Sequence, residues 1–143
     1  MNTREIRYGS VDYQDSLRLR SSILREPLGK QLTDEDLAGE DQQIHLGLYQ
    51  NQQLMGCIVA KSIQAGHSVK LRQMAIAAEV QGKGFGRRLL RDAESLLGAQ
   101  GFGGIELHAR KTAIGFYEKQ GYKTVGDFFL EQNIEHIRMQ KTL

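Results

Sequence analysis

Three glycines at alternate positions, in Gln81-Gly82-Lys83-Gly84-Phe85-Gly86, separate a strand-like run ending at Ala77 from a helix-like run that begins near Gly84. This junction restricts the fold, because a strand feeding a helix through a loop without Cβ atoms gathers unbonded backbone N–H groups at one helix N-terminus. Together with the helix dipole, worth about 0.3–1 kcal/mol per exposed charge, those groups form an anion site. Lys83, Arg87, Arg88 and Arg91 cluster at the same place and can add side-chain charge. The Walker pattern is excluded, since no Gly-Lys-Ser/Thr follows four residues after a first glycine. The dinucleotide fingerprint is excluded by the two-residue glycine spacing and by the antiparallel reading of the preceding strands.

Upstream of the loop the hydrophobic period is two. Ile44, Leu46 and Leu48 alternate with His45, Gly47 and Tyr49, and Gln50-Asn51-Gln52 reads as a turn. Leu54 to Lys61 is a continuous apolar run that suits a buried strand, and Gln64-Ala65-Gly66 precedes a third strand from His67 to Ala77. These three predict an antiparallel meander. Within the third strand Val69 and Leu71 share odd parity, whereas Met74 and Ile76 are even. Since side chains alternate strictly along a strand, the slip predicts a β-bulge near Arg72 to Met74.

Downstream, Leu89, Leu90, Ala93, Leu96 and Leu97 mark the apolar stripe of a helix, with Gly101 beyond its end. Ile105, Leu107 and Ala109 alternate as a strand. Thr112 to Gln120 returns to helical spacing through Ala113, Phe116 and Tyr117, and residues 122–130 and 134–142 read as a final strand pair. The first third is mostly helical: residues 11–25 carry Leu17, Ser21 and Leu24 at helical spacing, and Thr33-Asp34-Glu35-Asp36-Leu37 looks like a capped short helix. The predicted fold class is α+β, a mixed sheet with helices on its faces.

A chain of 143 residues, 40% hydrophobic and 25% charged, fits one domain over residues 1–143, with no linker, repeat or low-complexity tract to divide it. Its 19 basic and 17 acidic residues are dispersed, and no aromatic platform motif accompanies them, so nucleic acid is disfavoured as a partner. Neither a signal-like N-terminus nor a membrane-length apolar run is present, and the default expectation is a cytoplasmic protein that does not engage a membrane. Cys57, the only cysteine, lies inside an apolar run and reads as core; four scattered histidines without a second thiol predict no metal site.

Gln81-Gly82-Lys83-Gly84-Phe85-Gly86 resembles the Gln/Arg-x-x-Gly-x-Gly/Ala signature of the GNAT superfamily of N-acetyltransferases. Leu71 to Ile76 looks like the family's fourth strand, and Ala113-Ile114-Gly115-Phe116-Tyr117-Glu118-Lys119-Gln120-Gly121-Tyr122 resembles its Ala-x-x-Phe-Tyr-x-x-x-Gly-Phe/Tyr segment. The resemblance spans at least residues 44–130. It implies a three-layer α/β/α fold whose central sheet of about seven strands is mixed and mostly antiparallel. It implies acetyl-CoA as co-substrate, with the pyrophosphate held by Gln81, Gly82, Lys83, Gly84, Phe85, Gly86 and Arg87, and the pantetheine arm along Met74, Ala75 and Ile76. Phe116 packs nearby. Tyr117 matches the family tyrosine thought to protonate the departing thiolate, and a phenol of pKa about 10 is a plausible donor to it. Arg110 stands where many members carry asparagine, which leaves its contact with the donor open.

The implied reaction is direct attack of a bound amine on the thioester, in a monomer or homodimer. The alternative is a non-catalytic module that binds or senses acyl-CoA. A base must take a proton from the amine; His108 and Glu79 are candidates, and a water chain is another. The tail from Phe128 to Met139 resembles that of small bacterial members, with Asn133 in place of a glycine at a left-handed turn. Glu131 and His136 are expected at the acceptor pocket. The acceptor itself has no readable code; Arg18, Arg20 and Arg25 read equally well as acid-binding groups or as helix-surface charge.

Overall fold

The computed structural model describes residues 1–143 as β1 (Asn2–Ile6), α1 (Val11–Leu24), α2 (Asp34–Leu37), β2 (Ile44–Gln50), β3 (Gln53–Ile63), β4 (Ser68–Ile76), α3 (Phe85–Ala99), β5 (Gly104–Arg110), α4 (Ile114–Lys119), β6 (Lys123–Glu131) and β7 (Ile134–Thr142). All seven strands join one sheet in the order β1-β2-β3-β4-β5-β7-β6. Every pairing is antiparallel except β4 with β5, so the sheet is mixed and mostly antiparallel as expected.

The layers follow from strand parity. Ile58 joins Leu89, Leu90, Ala93 and Leu97 of α3 in the main apolar cluster, against which Phe116 and Tyr117 of α4 also pack. Its neighbour Cys57 points the opposite way, where its Sγ lies 3.9 Å from Ser16 O on α1. Adjacent strand residues face opposite sides, so α3 and α4 cover one face and α1 the other.

The bulge lies where the parity slip predicts it. Cys57 pairs with Ala75 and Val59 with Arg72, so one intervening residue on β3 faces two on β4. Gln73 absorbs the irregularity with φ +52°. Beyond it β4 and β5 separate: their pairing covers Ser68 to Leu71 against Gly104 to Leu107 and then stops, although β4 continues to Ile76 and β5 to Arg110. A V-shaped opening results. The hairpins after β2 and β6 turn on Asn51-Gln52 and Gln132-Asn133, all four at positive φ, which is the backbone a two-residue turn needs to match strand twist.

Three local expectations are corrected. No strand is read in residues 2–6, yet β1 pairs along β2 from Asn2 to Ile6; with Ile6 its only buried apolar side chain, it carries no alternation to read. The stripe of α3 includes Phe85, and Leu96 at its margin is exposed. The buried residues of α1 are Tyr13, Ser16 and Arg20, whereas Leu17, Ser21 and Leu24 are only half-buried. A polar stripe can face inward here because its partners are supplied by Glu40, as described below. The short helix α2 agrees with expectation down to its cap: Thr33 Oγ1 accepts from Asp36 N–H, and Asp36 accepts from Thr33 N–H.

Candidate active site

The glycine segment leaves a row of free donors. The first main-chain hydrogen bond of α3 runs from Arg88 N–H to Gly84 O at 3.0 Å, and no acceptor, main-chain or side-chain, meets the N–H groups of residues 82–87. Gly82 and Gly84 hold φ +75° and +83°, and no atom lies within 4 Å of where a Cβ would project from either. That open space suits the close approach of a phosphate. Lys83, Arg87 and Arg91 are exposed around it, but Arg88 turns away to Asp92 at 2.8 Å. Gln81 ties the loop to the sheet, its Nε2 donating to Ile76 O at 2.9 Å.

That contact also shows which way β4 presents its backbone. Ala77 N–H donates to Met55 O on β3, whereas Ile76 O is free to bond Gln81, so Ile76 and, by alternation, Met74 turn their polar groups away from β3 toward the V. Ala75 is buried between them. A Cβ on Gly86 would lie 3.4 Å from Met74, 3.7 Å from Ile76 and 3.7 Å from Phe116, so the helix start, the strand past the bulge and α4 converge there. Phe85 is buried beneath the loop. Tyr117 stacks edge-on between Phe116 and Tyr122, with centroids at 5.1 and 5.7 Å. Its hydroxyl meets only Met74 Sδ, at 3.9 Å, and burial raises its pKa, so the phenol stays protonated.

A cleft of about 1000 Å³ opens from the V onto the α1 face of the sheet. Met74, Arg110 and Tyr117 line its inner end; the chain after α1, the start of α2 and the β6–β7 turn wall the outer part. The glycine segment does not line this cleft. His108, Glu131 and His136 do, and Glu79 does not. His108 Nδ1 lies 3.0 Å from Glu131 Oε2. A carboxylate can only accept, so Nδ1 is the donor, and in the neutral tautomer that this bond selects, the lone pair lies on Nε2. The hydrogen bond from His108 outweighs burial and lowers the Glu131 pKa, keeping that partner ionised. His136 Nδ1 instead donates to Ile134 O at 2.8 Å.

Sequence reasoning missed the support behind this cleft. Arg20, fully buried rather than on a helix surface, forms a two-pronged ion pair with Glu40 and donates from Nε to Gln73 Oε1 at 2.8 Å. Arg72 reaches the same carboxylate at 2.8 Å, and Tyr13 donates its hydroxyl to it at 2.6 Å. One carboxylate therefore braces both Arg72 and the bulged Gln73. Burial would raise the Glu40 pKa, but the hydrogen bonds from Arg20, Tyr13 and Arg72 prevail and hold it at about 2. Arg25 is likewise committed, to Asp36 at 3.1 Å, and Arg18 lies exposed beside Asp15. Burial pushes the Cys57 thiol up to about 12, which removes it as a nucleophile.

A V-split mixed sheet with a bare helix N-terminus at its edge defines a class of acyl-group transferases, and comparison with known proteins agrees. The Acetyltransferase (GNAT) domain family matches residues 15–143, and the chain belongs to that family. It is 30% identical over 146 residues to a Bacillus subtilis (strain 168) protein named "Putative acetyltransferase BSU40680", covering 99% of this chain and 96% of that one. A crystal structure of a "putative N-acetyltransferase" from Lactobacillus plantarum superposes with a TM-score of 0.86 at 27% identity, over 100% of this chain and 99% of that one. An aminoglycoside 6'-N-acetyltransferase complexed with coenzyme A shares the fold, with a TM-score of 0.78 at 20% identity over 99% and 97% of the two chains.

Proposed function

We propose that the protein transfers an acetyl group from acetyl-CoA to a primary amine by direct attack in a ternary complex. The observation that carries this reading is the convergence at Gly86, where the bare start of α3, the strand edge at Met74 and Ile76, and the helix bearing Tyr117 come within van der Waals reach. The free N–H groups of residues 82–87, with Lys83 and Arg87, suit a pyrophosphate, and the unpaired edge of β4 suits a pantetheine arm. Backbone N–H groups around Met74 to Ile76 are oriented to polarise a carbonyl in the V. When bound, acetyl-CoA supplies the thioester to be attacked and a thiolate as leaving group.

His108 Nε2 accepts the proton released by the attacking amine, with Glu131 stabilising the imidazolium that forms. Tyr117 gives its proton to the departing sulfur, and its burial keeps that proton in place beforehand. No enzyme nucleophile is required, which agrees with the inert state of Cys57. Thiol release from acetyl-CoA over a panel of amines, compared between wild type and Tyr117→Phe, tests the reading. The expected result is a fall in kcat of about 10²-fold with KM for acetyl-CoA little changed. An unchanged kcat would remove Tyr117 as the acid.

A further inference from the structure

The cleft beyond the V carries cations that the protein leaves unneutralised. Its floor is the α1 face of the sheet, where Lys70 lies in the last paired stretch of β4, opposite Glu106, and Arg72 lies beyond it, with His108 and Arg110 on β5 past the end of that pairing. Arg72 is bound to Glu40, His108 to Glu131, and Arg25 at the rim to Asp36. Lys70 and Arg110 have no carboxylate within 4.0 Å, and neither has Lys30, whose Nζ donates to the neutral Gln132 Oε1 at 2.9 Å. That bond links the chain after α1 to the β6–β7 turn, two walls of the same cleft. Of the three lining carboxylates, Glu35, exposed on α2, has no partner, and Glu131 has only the imidazole of His108.

Lys30, Lys70 and Arg110 against the carboxylates of Glu35 and Glu131 leave the cleft net positive, which disfavours an incoming ammonium, and a plain alkylamine has nothing with which to offset this. An acceptor that also bears an anion removes the conflict, and both lysines come near His108's partner: Lys70 acts electrostatically on Glu131, and Lys30 is bound to Gln132, the next residue. We infer that the acceptor is a small amine carrying a carboxylate or phosphate, bound by Lys70 and Lys30 with its amine at His108. The inference rests on the transferase reading above and specifies its substrate class. Arg110, which also faces the donor's path, is left out of the assignment.

The test measures kcat/KM by thiol release with paired acceptors: free amino acids against their carboxamides, and O-phosphoethanolamine against ethanolamine. A charge-assisted contact predicts that the anionic member of at least one pair is preferred by about tenfold or more, and which pair responds tells carboxylate from phosphate. In Lys70→Met and Lys30→Met, checked for an unaltered melting curve, that preference falls toward one, and Lys70→Arg restores it. Equal or better rates for the uncharged members overturn the inference while leaving the transferase reading intact. A preference that survives both methionine variants overturns the assignment to these lysines. Failure of every amine to release thiol, although acetyl-CoA binds, removes the transferase reading and the inference with it.

Discussion

At φ +83°, Gly84 occupies a backbone region that costs a residue with a Cβ about 1–2 kcal/mol, and it is also the N-cap from which α3 starts. Nothing of the protein stands within 4 Å of the missing Cβ, so a side chain there meets only what binds. Gly84→Val is therefore expected to weaken acetyl-CoA binding by about tenfold or more, by strain in the loop and by obstruction of the cradle. Titration calorimetry reads the change, with a melting curve to separate it from global unfolding; an unaltered Kd would count against the loop as the phosphate site. At this scale the geometry of the candidate donor half was legible. Glycine spacing and the Phe116-Tyr117 pair are local signals, and the parity slip located Gln73's bulge to within a residue. The acceptor half was less so: His108 and Glu131 are 23 residues apart, and nothing local says that they touch.

Between elements, the contact of greatest consequence is the Glu40 carboxylate, which links α1 through Arg20 and Tyr13 to the bulge of β4 through Arg72 and, by way of Arg20, Gln73. Glu40→Gln leaves Arg20 charged, buried and uncompensated, a change expected to cost about 3–5 kcal/mol in urea denaturation. The same group predicts an acid dependence. Its folded-state pKa of about 2 lies below the ordinary 4.5, so its contribution is fully present above about pH 4.5 and is lost as pH falls toward 2. Urea midpoints measured from pH 6 to pH 3 should fall more steeply for wild type than for Glu40→Gln; parallel slopes would deny the carboxylate this role. The sequence hid the network because α1 buries a polar stripe. Arg20 among other arginines looks like surface charge until its partner, 20 residues away, comes into view, and β1 was invisible for a similar reason, being an edge strand with one inward side chain.

Across the whole molecule, alternation in β2 and β5, the continuous apolar run of β3 and the helical spacing of α3 were enough to predict a mixed sheet covered by helices. The insertion of β7 between β5 and β6 was not readable, since pairing partners distant in sequence leave no local trace. That insertion brings His136 and the β6–β7 turn against the V, and so it builds the cleft proposed for the acceptor. Met74 thus stands between the start of α3 and the cleft on the α1 face, the arrangement that the proposed transfer requires. That transfer is tested most directly by incubating the protein with acetyl-CoA and an amine panel and quantifying free CoA thiol and N-acetylated amine in the same sample. Equimolar appearance of the two, saturable in both reactants, is the predicted result. Saturable binding of acetyl-CoA with neither product formed across the panel would contradict it and leave an acyl-CoA-binding module.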